Sequence, residues 1–238
     1  AGCNGPVGSE FALCGSCWVQ VPIISGPICQ SCGIPILADS VDDTDRCEDC
    51  TNISRPWTKG RAAIQYQDLG RRLILGLKHS DRQDVAVTVM PWMTTAARDL
   101  IQDDTILAPI PLHWSRLMKR RYNQAALLSQ NLGLKLARTS IPDLLVRPRK
   151  TAPLDGVSVA ERFDRLAGAI EMNPKRTSRI AGKPVLLIDD VMTSGATLSA
   201  GTHACLNAGA SRVDVLVLAR VGKDDYMTSK PFNRKDQL

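Results

Sequence analysis

Val185-Leu-Leu-Ile-Asp-Asp-Val-Met-Thr-Ser-Gly-Ala-Thr197 is the stretch on which the reading of this chain turns. Its first four residues are apolar, and they read as a strand buried on both faces, as in a parallel sheet. The strand ends in two carboxylates, Asp189 and Asp190. A loop of small residues follows, and a helical pattern opens behind it. Such a loop can wrap a phosphate. Its N–H groups and hydroxyls donate hydrogen bonds, Gly195 lets the backbone come close, and the helix N-terminus adds partial positive charge. Two carboxylates beside a phosphate would repel it. They fit if they face a metal or a neutral, hydroxyl-rich group, and a ribose 5-phosphate offers hydroxyls and phosphate together. The plainer alternative is a strand–helix joint capped by Asp190 or Ser194. That alternative requires neither the doubled acid nor the Thr-Ser-Gly-Ala-Thr run.

Outward from this stretch, apolar spacing predicts a helix over 196–208, stopped at Gly209, and a last strand over 213–219. The tail from Gly222 is charged. Upstream, strands are expected over 61–66, 105–110 and 144–147. Helices are expected over 69–78, over 84–101 with a break at Pro91, and over 123–137. Residues 148–176 read as an irregular basic segment in which Ser158-x-x-Glu161 forms a capping box. The β–α–β alternation predicts an α/β domain, an open parallel sheet with helices on both faces. Ligands on such sheets sit beyond the carboxyl ends of the strands. The loop after Ile110 and the loop after Ile188 both leave strands at that end, so they meet if their strands are neighbours.

The loop after Ile110 is basic, with Arg116, Lys119, Arg120 and Arg121. Three readings stand side by side: a polyanion site, a solvated cationic helix face, and a nucleic-acid patch. His79, His113 and His203 are isolated and read as packed or surface residues. Cys205 falls mid-helix and reads as core. The four tryptophans are too scattered to form a base-stacking platform.

Charge divides the chain. Residues 1–54 hold one base, Arg46, against seven acids, whereas residues 55–238 carry a net +12. Seven of the eight cysteines lie before residue 51. Cys14-x2-Cys17, Cys29-x2-Cys32 and Cys47-x2-Cys50 are zinc-knuckle spacings, because a tight turn points two thiolates at one tetrahedral ion. Disulfides or a redox C-x2-C are the alternatives. Cys29, Cys32, Cys47 and Cys50 are expected as one complete site, and Cys3, Cys14 and Cys17 as the other. Interleaved pairing remains open. A cysteine directly before Ala1 would supply the eighth ligand. The division therefore falls at a zinc-ribbon domain over 1–54 and an α/β domain over 55–238. No apolar run has the roughly 18–20 residues of a membrane span, and no charged-then-apolar leader is expected. Zinc thiolates imply a reducing compartment, so the expected location is cytoplasmic.

The 185–197 stretch resembles the signature of type I phosphoribosyltransferases, which bind phosphoribosyl pyrophosphate (PRPP). The resemblance implies that Asp189 and Asp190 hold the ribose hydroxyls. It also implies that Val191 and Met192 belong to the PRPP site, that the loop Thr193, Ser194, Gly195, Ala196 and Thr197 holds the 5-phosphate, and that Arg116, Arg120 and Arg121 take the pyrophosphate with Mg²⁺. A flexible segment after the third strand would close over the reaction. A double zinc ribbon ahead of such a domain resembles the ComF family of competence proteins. Leu77-Lys78, Pro109-Ile-Pro-Leu112, Arg116, Arg121-Tyr-Asn-Gln124, Thr151, Arg162 and Leu218-Ala-Arg220 follow its pattern. Leu154 and Arg165 depart from it, where members carry Gln and Asn. Two functions are implied. One is a PRPP-binding protein of DNA uptake, with single-stranded DNA on the basic domain and a protein partner for the acidic ribbon. The other is an active phosphoribosyltransferase of nucleotide metabolism or salvage. No residue stands out as a catalytic base.

Overall fold

Four strands form one parallel sheet, and its layout follows from where the chain is continuously apolar. The structure, a computed structural model, describes residues 2, 13–36, 45–78, 82–151 and 156–222, apart from the Lys119 side chain. Cys3, His79 and Leu154 lie outside the described residues. In chain order the elements are α1 (Gly15–Trp18), α2 (Glu48–Asn52), β1 (Gly60–Gln65), α3 (Asp68–Gly76), α4 (Asp84–Thr88), α5 (Met90–Ala96), β2 (Ile106–Pro109), α6 (Trp114–Arg120) and α7 (Gln124–Leu136). There follow β3 (Leu145–Val146), α8 (Val159–Leu166), β4 (Glu171–Met172), a 3₁₀ turn (Pro174–Arg179), β5 (Pro184–Met192), α9 (Ala196–Asn207) and β6 (Arg212–Arg220). The sheet order is β1-β6-β5-β2, with every pairing parallel.

The pleat sorts the core. Leu186, Ile188, Leu216 and Leu218 pack with α3, α4, α5 and α7 on one face. Val185, Leu187, Val213, Val215 and Val217 pack beneath α9 on the other. Both faces are covered, which accounts for the uninterrupted apolar runs. Pro91 falls in the first turn of α5 and separates it from α4, since its missing N–H is harmless only there.

Four readings of the sequence are corrected. The signature strand runs two residues past the carboxylates at which it was expected to end. β5 continues to Met192, pairing Val191 with Ala219 and Met192 with Arg220, so Asp189 and Asp190 belong to the strand. The basic stretch after Ile110 is helical: His113 Nδ1 accepts from the N–H of Ser115 and caps α6. The expected strand over 144–147 is the two-residue β3, which leaves the main sheet to pair antiparallel with β4. The segment 148–176 is not irregular, because it contains α8, β4 and the start of the 3₁₀ turn. Its capping box forms as expected: Glu161 N–H donates to Ser158 Oγ, and Ser158 N–H donates to Glu161 Oε2 at 2.9 Å.

The ribbon and the sheet share their cores. Ile24 N–H donates to Ala63 O at 3.1 Å and Gln65 N–H to Pro22 O at 2.8 Å, so residues 22–24 cover the outer edge of β1. Cys17 and Val21 join one apolar cluster, and Cys29, Cys32 and Cys50 join the other. Gly60 lies so close to Ser31 O that a side chain there would strike backbone. Its N–H donates to Gln30 O at 2.9 Å. Buried Arg61 holds both the carbonyl and the side-chain oxygen of Gln30 and forms an ion pair with Asp99. No described helix is long and apolar enough to cross a membrane.

Candidate functional site

Register brings the two expected loops together. β2 and β5 are neighbours, with Pro109 opposite Ile188, and Ile110 N–H donates to Ile188 O at 2.9 Å. The chain therefore leaves both strands at one sheet end. After β5, Thr193 to Gly195 bend into α9. Gly195 is its N-cap at φ 82°, a left-handed conformation that suits glycine. A Cβ there would also come within 2.9 Å of the Trp57 ring. A small cleft is lined by Asp189 and residues 191–198.

The pleat turns Asp189 and Asp190 to opposite sides of β5. Asp189 faces the cleft and accepts from the N–H of Asp190 at 2.8 Å. Burial, and then the charge of Asp190, pushes its carboxyl well above the usual carboxylate range, while Lys78 pulls the other way. Asp190 is felt by Tyr66, whose phenol is raised first by burial and also by that carboxylate.

Arg116 and Arg120 lie on α6, and Arg121 follows as its left-handed C-cap at φ 67°. Arg120 donates to Gln124 Oε1 at 3.4 Å. Asn123 Nδ2 donates to Ile110 O at 2.9 Å and caps α7, which anchors the loop between the helices. His113 is thus a structural cap, and Cys205 is a core thiol that burial pushes up to about 12.

Several further cations lie near this sheet end, and two of them, Arg55 and Arg147, were not singled out from the sequence as site residues. Arg220, on β6, donates to Met192 O at 3.2 Å and Thr193 O at 2.9 Å. Arg55 donates to Ser194 O and stacks 5.5 Å from the Trp57 ring centroid and 6.0 Å from that of Phe163. Arg147, 8% exposed at the end of β3, has its pKa lowered by burial and then by Arg116, and raised by Asp189. The Nε–H of each of these three arginines is buried without a partner among the described residues. Arg162 reaches Thr193 Oγ1 at 3.5 Å. Arg162 and Leu218-Ala-Arg220 stood in the family pattern, but nothing in the sequence joined Arg55 or Arg147 to this loop.

The second centre lies in the ribbon. The sulphurs of Cys29, Cys32, Cys47 and Cys50 all fall within 4.8 Å of one another, and three of the four residues are buried. Cys29 and Cys32 flank a turn closed by Gly33 N–H donating to Cys29 O at 2.8 Å. Cys47 and Cys50 open α2. The Cys32 and Cys47 sulphurs are 3.7 Å apart. A tetrahedral zinc with sulphur ligands at ~2.3 Å separates its ligands by about 3.8 Å, so these residues fit the ion. Hydrogen bonds from the other three thiols push Cys29 far below the usual thiol range, and the same contacts push Cys47 far above it. One ion would hold all four as thiolates. Cys14 and Cys17 open α1 as Cys47 and Cys50 open α2, but they lie outside this cluster. A Cβ on Gly2 would come 2.6 Å from the Cys17 sulphur.

Comparison with known proteins finds a family for each of the two parts of the chain. The double zinc ribbon domain family matches residues 1–51, and the phosphoribosyl transferase domain family matches residues 126–237. The chain therefore joins a structural zinc ribbon to a phosphoribosyltransferase-like α/β domain. It is a homologue of ComF-type proteins. Competence protein F of Haemophilus influenzae is 27% identical, over 89% of this chain and 92% of that protein. Competence protein ComFC of Bacillus subtilis is 28% identical, over 87% and 84%. The DNA utilization protein YhgH of Escherichia coli K12 is 25% identical, over 81% and 84%. Among solved structures, an adenine phosphoribosyltransferase from Thermoanaerobacter pseudethanolicus overlaps 56% of this chain and 77% of that one, with 14% identity and a TM-score of 0.34.

Proposed function

We propose that the protein binds PRPP at the end of β5 and acts, as its competence and DNA-utilization relatives are named for, in the uptake or use of DNA. The observation that carries this reading is the small-residue loop of residues 193–197 opening α9 beside Asp189, with the cationic α6 leaving the neighbouring strand. Thr193 to Thr197 would take the 5-phosphate through backbone N–H groups and hydroxyls. Asp189 would accept from a ribose hydroxyl in the cleft, and Asp190, turned to the other side of β5, from a hydroxyl that reaches past the end of the strand. Arg116, Arg120 and Arg121 would meet the pyrophosphate, which Mg²⁺ neutralises when bound.

A second reading is turnover. Displacing pyrophosphate from C1 of PRPP needs stabilised charge on the leaving group, and the arginines around this sheet end supply it. Among the described residues none is placed as a general base, so the proton of the nucleophile would pass to a group of the substrate itself. The cysteine cluster calls for a reducing, cytoplasmic setting. Incubation with PRPP, Mg²⁺ and a panel of nitrogen bases tests both readings. Heat of binding without pyrophosphate release gives a binding protein, release gives an enzyme, and neither at millimolar PRPP ends the proposal.

A further inference from the structure

We infer that Arg55 and Arg220 position the phosphate loop from behind, and that Trp57 ties this clamp to the zinc knuckle Cys29–Cys32. The inference rests on the PRPP reading for its ligand but not for its geometry. In a trans peptide the C=O and N–H point in opposite directions. Arg220 holds the carbonyl of Thr193 at 2.9 Å, which turns the N–H of Ser194 the other way. Arg55 holds the carbonyl of Ser194, which turns the N–H of Gly195 the other way. Neither N–H has an acceptor among the described residues. Two consecutive donors aimed away from two guanidinium groups form the kind of nest that takes an anion.

The clamp is itself fixed from the ribbon. Trp57 is 4% exposed, and its Nε1–H donates to Ser31 O at 2.6 Å, between the two knuckle cysteines. The far edge of the same indole lies where a Gly195 side chain would be. Arg55 stacks between that ring and Phe163 of α8, so its guanidinium has little freedom to leave Ser194. Each link from knuckle to indole, to guanidinium, to loop carbonyl is a direct contact. A metal that rigidifies the 29–32 turn would therefore rigidify the loop, and losing it would loosen the loop without touching any residue that meets the ligand.

Arg55→Ala and Trp57→Phe, in the full zinc-loaded chain, test this. Trp57→Phe keeps an aromatic ring but loses both the N–H that reaches Ser31 and the far edge of the indole that lies against Gly195, so it cuts the link at both ends. Hydrogen exchange is read at the amides of 193–197, zinc by elemental analysis, and PRPP with Mg²⁺ by calorimetry. In Arg55→Ala, exchange at 194–195 should rise at least tenfold and PRPP affinity should fall by a similar factor, with zinc content unchanged. In Trp57→Phe the loop amides should respond less to zinc removal than in the wild type. Unchanged loop exchange in Arg55→Ala, or an equal zinc response in Trp57→Phe and wild type, overturns the inference. If loop exchange responds as stated but the wild type binds no PRPP, the clamp stands and the PRPP reading falls.

Discussion

The four-cysteine centre and the loop of residues 193–197 sit on either side of Trp57 and are made in opposite ways. The centre is built of side chains from two turns distant in sequence, each turn a short spacing that fixes where its sulphurs point. The loop is built of backbone from one contiguous stretch, and the side chains that hold its peptides come from residues 55 and 220. A site made of side chains declares its ligands in the sequence. A site made of backbone declares only the loop and hides what orients it. The two also stand differently toward solvent. Cys29, Cys32 and Cys50 are part of the core, whereas the loop opens on a cleft.

The sharpest way to break this comparison is to remove a thiol. Cys32→Ala should release about one zinc per chain. It should also destabilise both the ribbon and the edge of β1, because they share a core. A loss of at least ~3 kcal/mol, or roughly 6–12 °C in melting temperature, is expected. Cys14→Ala should leave the zinc of the four-cysteine centre in place. Equal loss of all metal in both variants would mean that the two sets of cysteines interleave.

The loop should behave in the reverse manner, tolerating substitution while losing its ligand. PRPP with Mg²⁺ at a hundredfold above Kd should stabilise the wild type by about 2.7 kcal/mol, roughly 5–10 °C. Thr197→Ala and Asp190→Ala should abolish the rise and leave the unliganded melting temperature close to wild type. A ligand-induced rise that survives in both variants would move the site elsewhere.

Asp189 sharpens the comparison further, because burying its carboxyl costs the fold stability. Its carboxyl is held above the usual range by burial and then by Asp190. The folded state therefore holds this proton to higher pH than the unfolded state does. The contribution of Asp189 to stability is complete below the unfolded value and is lost as pH rises through the raised folded one. Asp189→Asn should thus melt higher than wild type at neutral pH, by about 2–4 °C for each kcal/mol relieved, and the difference should shrink on acidification. PRPP should bind it more weakly, since ribose hydroxyls donate best to an ionised carboxylate. A variant that melts lower at neutral pH would show that Asp189 is stabilised by a partner rather than strained.

Most of the fold was legible because its signals are local. The run Val185 to Ile188 can be satisfied only in a doubly covered sheet, and Pro91 and Gly209 mark where helices break or stop. The misreadings share a cause. The acids at 189 and 190 look like the end of the strand by polarity, yet the pairing with β6 carries it on to Met192. The cations of α6 masked a helix whose cap is an unusual histidine. β3 cannot be told from a sheet strand, since antiparallel pairing with β4 depends on a segment 25 residues away. Of the site, the cysteine spacing and the 185–197 stretch could be read directly. Arg55, Arg147 and Trp57 could not, because their roles come only from the docking of the ribbon and β3 against this sheet end.

The smallest effect expected concerns nucleic acid, and it decides which region would touch it. Residues 1–54 offer one base against seven acids, so a DNA strand should be repelled by the ribbon and drawn to the basic domain. Truncation at residue 55 would be a poor test, because residues 22–24 cover β1 and Trp57 donates to Ser31. The surface to alter is α6 and its C-cap, where exposed Arg116 and Arg121 alternate with Trp114, 68% exposed, and Met118, 76% exposed. Cations interleaved with an exposed indole suit a single strand, whose phosphates pair with the former and whose bases stack on the latter. Arg116→Gln and Arg121→Gln should each reduce the salt dependence of single-strand binding, lowering the slope of log K against log salt by about 0.7. Trp114→Ala should weaken binding and leave that slope unchanged. PRPP should compete with DNA, because both would draw on Arg116. Binding that loses neither slope nor strength in these variants, yet falls when Arg46 in the ribbon is replaced, would reverse the assignment and make the acidic region the nucleic-acid module despite its charge.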